Sequence, residues 1–270
     1  MIDKNYLYTN VKSLEQLRYF SNLPIDFYGK SVERITDLEL IDRSFEYADF
    51  KYNINQYGFR GDFSEILNTS HKKIGFFGCS VTFGQAVPEE HIFVKLVEKH
   101  FNSKFKSFNF GTIGGSFLRM GKLLNAVTNF IELDYAVFLL PSKYRFLIYN
   151  GQDKQRLFEL IPSLDEHGYP NYNGTFAELF KYFDDDNFTL FQLDYVGWMI
   201  DRCLSKNIIP LFSSWDAETY NLLNSNVSSN FMLDKFTYNF KEKKLLGRDN
   251  GHPGIVPHRL FANNIITKIK

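Results

Sequence analysis

Four short apolar runs constrain this chain more than any other feature: Lys73 to Phe77, Phe105 to Phe110, Tyr135 to Leu140 and Ile208 to Phe212. Each has strand length, and the third is apolar throughout, as expected of a strand covered on both faces. Helix-like stretches separate them. Ile92, Phe93, Leu96, Val97 and His100 recur at helical spacing between Pro88 and Phe101. Phe117, Leu123, Leu124, Val127 and Phe130 repeat the pattern, and further helices are predicted near Leu193 to Leu204 and Pro257 to Ile269. Strands that alternate with helices are connected by right-handed crossovers, which gives an α/β fold, a three-layer α/β/α sandwich on a mostly parallel sheet.

The chain has 270 residues, enough for one full core with additions. Residues 1–70 read as an amino-terminal extension packed on a main domain of residues 71–270. Within the extension, Ser13-Leu14-Glu15-Gln16 has the form of a capping box. Phe45 to Ile54 reads as a strand or extended cover, and Asn55 to Gly61 as a turn with two glycines suited to positive φ. Pro141 to Gln192 is too long for a simple connection and is predicted to be an insertion at the ligand-binding edge. A short strand is expected near Phe231 to Phe236.

Formal charge is zero, with 31 basic and 31 acidic residues, so nothing electrostatic points to nucleic acid or an anionic membrane. No apolar run approaches the roughly 18 residues of a membrane span, and the first residues do not read as a signal peptide. A cytoplasmic location is the expectation, with a place in a virion left open. Cys79 and Cys203, the only cysteines, form neither a zinc pattern nor a disulfide framework. The 29 phenylalanines are expected chiefly in the core.

The first strand runs into Gly78-Cys79-Ser80-Val81-Thr82-Phe83-Gly84. A serine on a small-residue turn after a buried strand stands where a nucleophile is held exposed, close to helix-type N–H groups. Near the other end lies Asp249-Asn250-Gly251-His252-Pro253-Gly254. An Asp three residues before a His can accept from Nδ1–H and leave Nε2 as a base for a serine.

Together these stretches resemble the SGNH, or GDSL-like, hydrolase superfamily. The first block matches Gly78, Ser80, Thr82 and Gly84. The second falls on Asn109 and Gly114 after the second strand, and the last on Asp249, His252 and Pro253. Asn55 to Arg60 is similar to the N-x-x-G-F-R lead-in of members with an amino-terminal extension. The likeness spans roughly residues 55–270. It implies a flavodoxin-like sheet, no cofactor or metal, and a Ser80–His252–Asp249 triad. It further implies an oxyanion hole built on the N–H groups of Ser80 and Gly114.

The chain departs from the family pattern twice. The residue before the nucleophile is commonly Asp, and here it is Cys79, itself an alternative nucleophile with no matched histidine. The third family block carries an Asn that completes the oxyanion hole. Its place reads Leu140-Pro141-Ser142-Lys143-Tyr144-Arg145, which leaves Ser142, Lys143 and Arg145 as candidate donors, with Asn150 further along the insertion.

Trp215 follows the fourth strand, where it either walls a substrate cleft or packs beneath the insertion. Asp216 is a fallback acid for His252. His258 reads as a helix-start hydrogen bonder or a second active-site histidine, His100 as packed or capping, and His71, His91 and His167 as surface residues. Asp184-Asp185-Asp186 reads as a solvated loop. The function expected is a serine esterase removing acyl groups, acetyl foremost, from a carbohydrate or similar polar ester. An O-acyltransferase and a non-catalytic glycan-binding or structural relative are the alternatives. The sequence leaves oligomeric state open.

Overall fold

The computed structural model describes residues 11, 13–21, 23, 27, 31–32, 50–102, 104–149, 157–160, 163–164, 170–171, 185–238, 246–247 and 251–270. The four apolar runs form one parallel sheet of β1 (Lys72–Gly78), β2 (Phe105–Gly111), β3 (Tyr135–Leu140) and β4 (Ile209–Ser214). Their order across the sheet is β2-β1-β3-β4, the flavodoxin-like arrangement. It puts the reversal of winding between β1 and β3, so the carboxyl ends of those two strands open a crevice.

Because β1 leads to β2 in one direction and β2 leads to β3 in the other, right-handed crossovers put the connecting helices on opposite faces. Helix α2 (Phe93–Phe101) packs with the terminal helix α6 (Ile255–Lys268), with Phe93 and Phe261 meeting edge to face at 5.1 Å. Helix α3 (Phe117–Val127) packs with α4 (Asp185–Ser205).

Strand alternation divides the phenylalanines between the layers. Phe76 meets Phe93 of α2 at 5.7 Å. Its neighbour Phe77 joins a ladder on the opposite face, Phe110–Phe77–Phe138–Phe212, one ring from each strand, with centroids 5.0, 5.2 and 4.8 Å apart. The parallel register sets these residues side by side. Each buried ring contributes about 2–3 kcal/mol by burial alone. Most of the largest fully buried side chains are phenylalanines, so this composition is mainly core.

The described part of the amino-terminal region packs on this frame. Leu14–Phe20 forms a 3₁₀ helix whose Leu14, Leu17 and Phe20 belong to the main hydrophobic core. Arg119 of α3, itself buried, donates to the Phe20 carbonyl at 2.9 Å. Ser13 precedes the helix in extended conformation without a side-chain cap bond, unlike the predicted capping box. Phe59 and Phe63 stack on one another and meet Phe110 of β2.

Several predicted boundaries move. The helix expected from Pro88 starts instead at Phe93. Glu89–His91 is a 3₁₀ turn, and Ile92 breaks the run in extended conformation as the N-cap. The strand expected near Phe231 to Phe236 reduces to one bridge, Phe212 to Met232, with Leu233 and Phe236 donating to Phe212 and Ser214. Of the Phe45 to Ile54 strand, Tyr52–Asn53 pairs antiparallel with Ser31–Val32, while residues 45–49 lie outside the described residues. The predicted insertion contributes two short antiparallel pairs and the start of α4. Among the described residues no helix is long and apolar enough to cross a membrane.

Candidate active site

β1 ends at Gly78, and Ser80 opens α1 (Ser80–Phe83), a single turn with Cys79 as its extended N-cap. As the first helical residue, Ser80 has no intrahelical acceptor for its N–H. The Gly84 N–H closes the turn onto the carbonyls of Ser80 and Val81 at 3.0 and 3.1 Å. Two motif glycines make this geometry possible. Gly84 sits at φ 81°, the left-handed C-terminal position where a Cβ is costly. At Gly78 a Cβ would collide with the Thr82 side chain.

His252 lies just before α6, beside Leu246 and Gly247. The two segments are joined by a Leu246–Pro253 bridge and by the Gly247 N–H donating to the His252 carbonyl at 2.6 Å. Gly247 lies against Ala86, where a Cβ would stand 3.0 Å from the alanine Cβ. His252 Nε2 lies 2.9 Å from Ser80 Oγ, joining residues 172 apart in sequence. Ser80 is 7% exposed. An imidazole nitrogen at this distance can take the hydroxyl proton when the ring carries its own proton on Nδ1. Asp249, predicted to meet Nδ1, lies outside the described residues.

A second layer supports the turn from below. Arg60, 1% exposed, donates to the carbonyls of Phe83, Gly84 and Val87 at 3.2, 2.5 and 2.7 Å. Its guanidinium lies over Tyr52 at 4.8 Å and Phe83 at 5.6 Å. Burial lowers its pKa to about 10, still a cation at neutral pH. The Ala86 N–H donates to Tyr52 Oη at 2.8 Å, which helps hold Ala86 at a φ of 64°. Asn55 shapes the approach: its Oδ1 accepts from Tyr57 and Phe59, and its Nδ2 donates to the Gly61 carbonyl. Gly58 and Gly61 both have positive φ. Sequence reasoning noted this N-x-x-G-F-R run but gave Arg60 no task.

The second matched block is partly structural. Asn109 Nδ2 donates to the Thr82 carbonyl at 3.0 Å and its Oδ1 accepts from Gly111. This fastens α1 to the end of β2. Gly114 follows in a turn at φ 76°.

The segment after β3 is held by charge. Lys143, one of the three candidate oxyanion donors, is instead an ion-pair centre. Its Nζ lies 2.6 Å from Asp185 and 3.5 Å from Glu218. Tyr144 Oη donates to the same carboxylates at 2.7 and 3.2 Å. Burial and these two acids push the Tyr144 pKa well above its usual value. Burial opposes ionisation of Asp185, but the bonds from Lys143 and Tyr144 outweigh it and lower the Asp185 pKa. Asp185 is therefore a structural anion at the start of α4 rather than part of a solvated loop. Ser142 Oγ accepts from the Tyr144 N–H at 3.4 Å. Arg145 lies with its guanidinium 5.2 Å over the Trp215 ring. Asn150 lies outside the described residues.

Trp215 packs against the core and donates Nε1–H to Cys79 Sγ at 3.3 Å. Cys79 is fully buried. Asp216 caps α5 (Ala217–Asn226) by accepting from Thr219 N–H at 2.9 Å, which occupies the predicted fallback acid. His258 is fully buried, and its Nδ1 accepts from the Phe93 N–H at 3.2 Å. It thus caps α2, the preceding helix in space, and its ring stacks on Phe93. Burial, then the nearby Arg60 and His252, lowers its pKa to about 3. His100 is exposed rather than inward-facing, and His167 lies outside the described residues. Among the described residues no group of three His, Cys, Asp or Glu could hold a metal ion.

No protein-family model matches this chain, and no curated protein matches its sequence. Solved structures do resemble it. One is the psychrotrophic esterase EstA from a Pseudoalteromonas species, at 12% identity and TM-score 0.45, covering 73% of this chain and 96% of that one. Another is a member of the lipolytic G-D-S-L family from Veillonella parvula, at 14% identity and TM-score 0.44, covering 73% and 97%. A third is the acetyl xylan esterase AlAXEase, at 15% identity and TM-score 0.42, covering 73% and 100%. These are loose likenesses.

Proposed function

We propose that this chain is a serine esterase of the SGNH type that removes an acyl group, acetyl foremost, from a carbohydrate or similar polar alcohol. The carrying observation is the 2.9 Å contact between Ser80 Oγ and His252 Nε2 at the carboxyl edge of the sheet. The matched blocks around Gly78, Gly114 and His252 support the same reading.

In this mechanism Ser80 Oγ attacks the ester carbonyl carbon while its proton passes to His252 Nε2. The carbonyl electron pair moves onto oxygen, where the N–H groups of Ser80 and Gly114 donate to it. One such donor is typically worth about 10²–10³ in rate. Collapse expels the alcohol, which takes the proton from Nε2. Water then attacks acyl-Ser80 with His252 again as base. The acid leaves and the proton returns to Ser80 Oγ. Asp249 would hold Nδ1–H and stabilise the imidazolium. Lys143 is spent on carboxylates and Arg145 rests on Trp215, so the hole would rest on two backbone donors, with Ser142 as the side chain left to add to them.

The test is hydrolysis of 4-nitrophenyl acetate, together with labelling by a fluorophosphonate. The wild-type chain should turn over the ester and be labelled at Ser80, whereas Ser80→Ala should do neither. A wild-type chain that stays unlabelled and hydrolyses no short-chain ester would end this reading.

A further inference from the structure

Among the described residues, Arg145 is a charged side chain at this edge whose position the esterase chemistry leaves unexplained. Its backbone is fixed, with its N–H donating to the Ser142 carbonyl at 3.1 Å. Its guanidinium lies over the indole of Trp215, and its Nη1 is buried without a hydrogen-bond partner among the described residues. Among the described residues, three acids of the adjoining helices are already engaged. Asp185 and Glu218 hold Lys143 and Tyr144, and Asp216 accepts from Thr219. A guanidinium resting on an aromatic face keeps the edge away from the buried Nη1, that of Nε and Nη2, available for a planar anion. The Trp215 indole beneath it donates to Cys79, the residue immediately before Ser80. The platform thus leans directly on the nucleophile turn.

Resting on the esterase reading above, we infer that Arg145 on Trp215 is a carboxylate subsite, selecting esters whose alcohol half carries a carboxylate, such as an acylated uronic acid. One guanidinium without a second free cation beside it among the described residues suits a singly charged, planar group. A phosphate dianion would call for more positive charge, and neighbouring Lys143 is already neutralised. A carboxylate takes two parallel N–H bonds from the guanidinium edge, which fixes the sugar ring as well as its charge.

The test compares O-acetylglucuronic acid with O-acetylglucuronamide, which differ in charge but hardly in shape, using the full chain and its Arg145→Gln variant. The wild type should prefer the acid by about 10–100-fold in kcat/KM, the span of a charge-assisted pair. Arg145→Gln should lose that preference through KM, leaving the amide and 4-nitrophenyl acetate within about two-fold of wild type. Equal loss of kcat on all three esters would instead make Arg145 an oxyanion donor and overturn the subsite. So would a wild type indifferent to charge.

A binding arm stands apart from turnover. By titration calorimetry, Ser80→Ala should bind the acid at least about 10-fold more tightly than the amide, and the added Arg145→Gln change should erase the gap. Equal binding of both ligands by Ser80→Ala overturns the inference even if the esterase reading holds. Charge-selective binding without hydrolysis of any ester by the wild type would sink the esterase reading and leave the carboxylate site standing.

Discussion

The turn after β1 and the segment after β3 leave the same edge of the sheet but are held by different means. Residues 78–87 are fixed by backbone carbonyls and N–H groups meeting buried partners: Arg60, Tyr52 and Asn109. Residues 141–145 are fixed by an ion-pair cluster around Lys143, whose partners Asp185 and Glu218 are more than half exposed. The first arrangement sets one hydroxyl against one imidazole and tolerates little movement. The second secures a loop while leaving the cation of Arg145 without a counter-ion among the described residues. A site that must position a nucleophile and also meet a variable polar substrate can use both.

The sharpest break in the first region is at Ser80 itself. Ser80→Ala, and separately His252→Ala, should lower kcat by about 10⁴-fold or more while leaving the far-UV spectrum and melting temperature near wild type. Asp249→Asn should cost a similar factor if that carboxylate orients the imidazole. Next in size is Arg60→Met. It removes a donor from three buried carbonyls beneath the turn; those of Phe83 and Gly84 keep a second donor in Asn109 Nδ2 and the Val87 N–H, so among the described residues only the Val87 carbonyl is left unmet, and a loss of about 2–3 kcal/mol is expected in denaturant unfolding. Arg60→Lys should recover only part of this, since one ammonium cannot reach three carbonyls in the planar fork geometry.

The two regions were also unequally legible in the sequence. Strands β1 and β3, the order of the elements, and Ser80 with His252 could be read from local patterns. Apolar run length, glycine spacing and a D-x-x-H string each report on a few neighbouring residues. Arg60 was not legible, because its three acceptors lie 23 to 27 residues away and nothing local to Arg60 names a backbone carbonyl as its partner. The same distance problem hid Lys143, whose salt-bridge partner Asp185 looked like one residue of a solvated acidic run. His258 was read as a hydrogen bonder at a helix start. The helix it caps is α2 rather than its own, and that pairing spans 165 residues.

His258 sharpens the comparison through pH. It packs beneath the first region, with Arg60 and His252 as the charged or titratable groups acting on it. Its folded pKa of about 3 lies below the ordinary histidine value near 6.5. The unfolded chain therefore binds a proton in this window and the folded chain does not. Its contribution is fully present above about pH 6.5 and declines as pH falls toward about 3. Between pH 7.5 and pH 5 this site alone should cost about 2 kcal/mol in urea unfolding. His258→Asn should be less stable at pH 7.5, having lost ring packing on Phe93, yet show a shallower decline. An unchanged slope in that variant would assign the acid sensitivity elsewhere.

The smallest effect is expected in the second region, and its pH dependence has a different origin. Lys143→Met removes the cation that Asp185 and Glu218 share. Lys143 is buried, but both carboxylates are more than half exposed, so solvent screens much of the interaction, and a loss of about 1–2 kcal/mol is expected at pH 7. Asp185 has a lowered pKa in the folded chain. Its share of the stabilisation is thus present above the unfolded carboxylate value and fades as pH falls through the lower, folded one. The gap between Lys143→Met and wild type should narrow from pH 7 to pH 3.5. Because Lys143 meets carboxylates rather than the serine, kcat on 4-nitrophenyl acetate should stay within about three-fold. A loss of 10²-fold with the melting temperature unchanged would instead return Lys143 to the oxyanion hole and make the second region as directly chemical as the first.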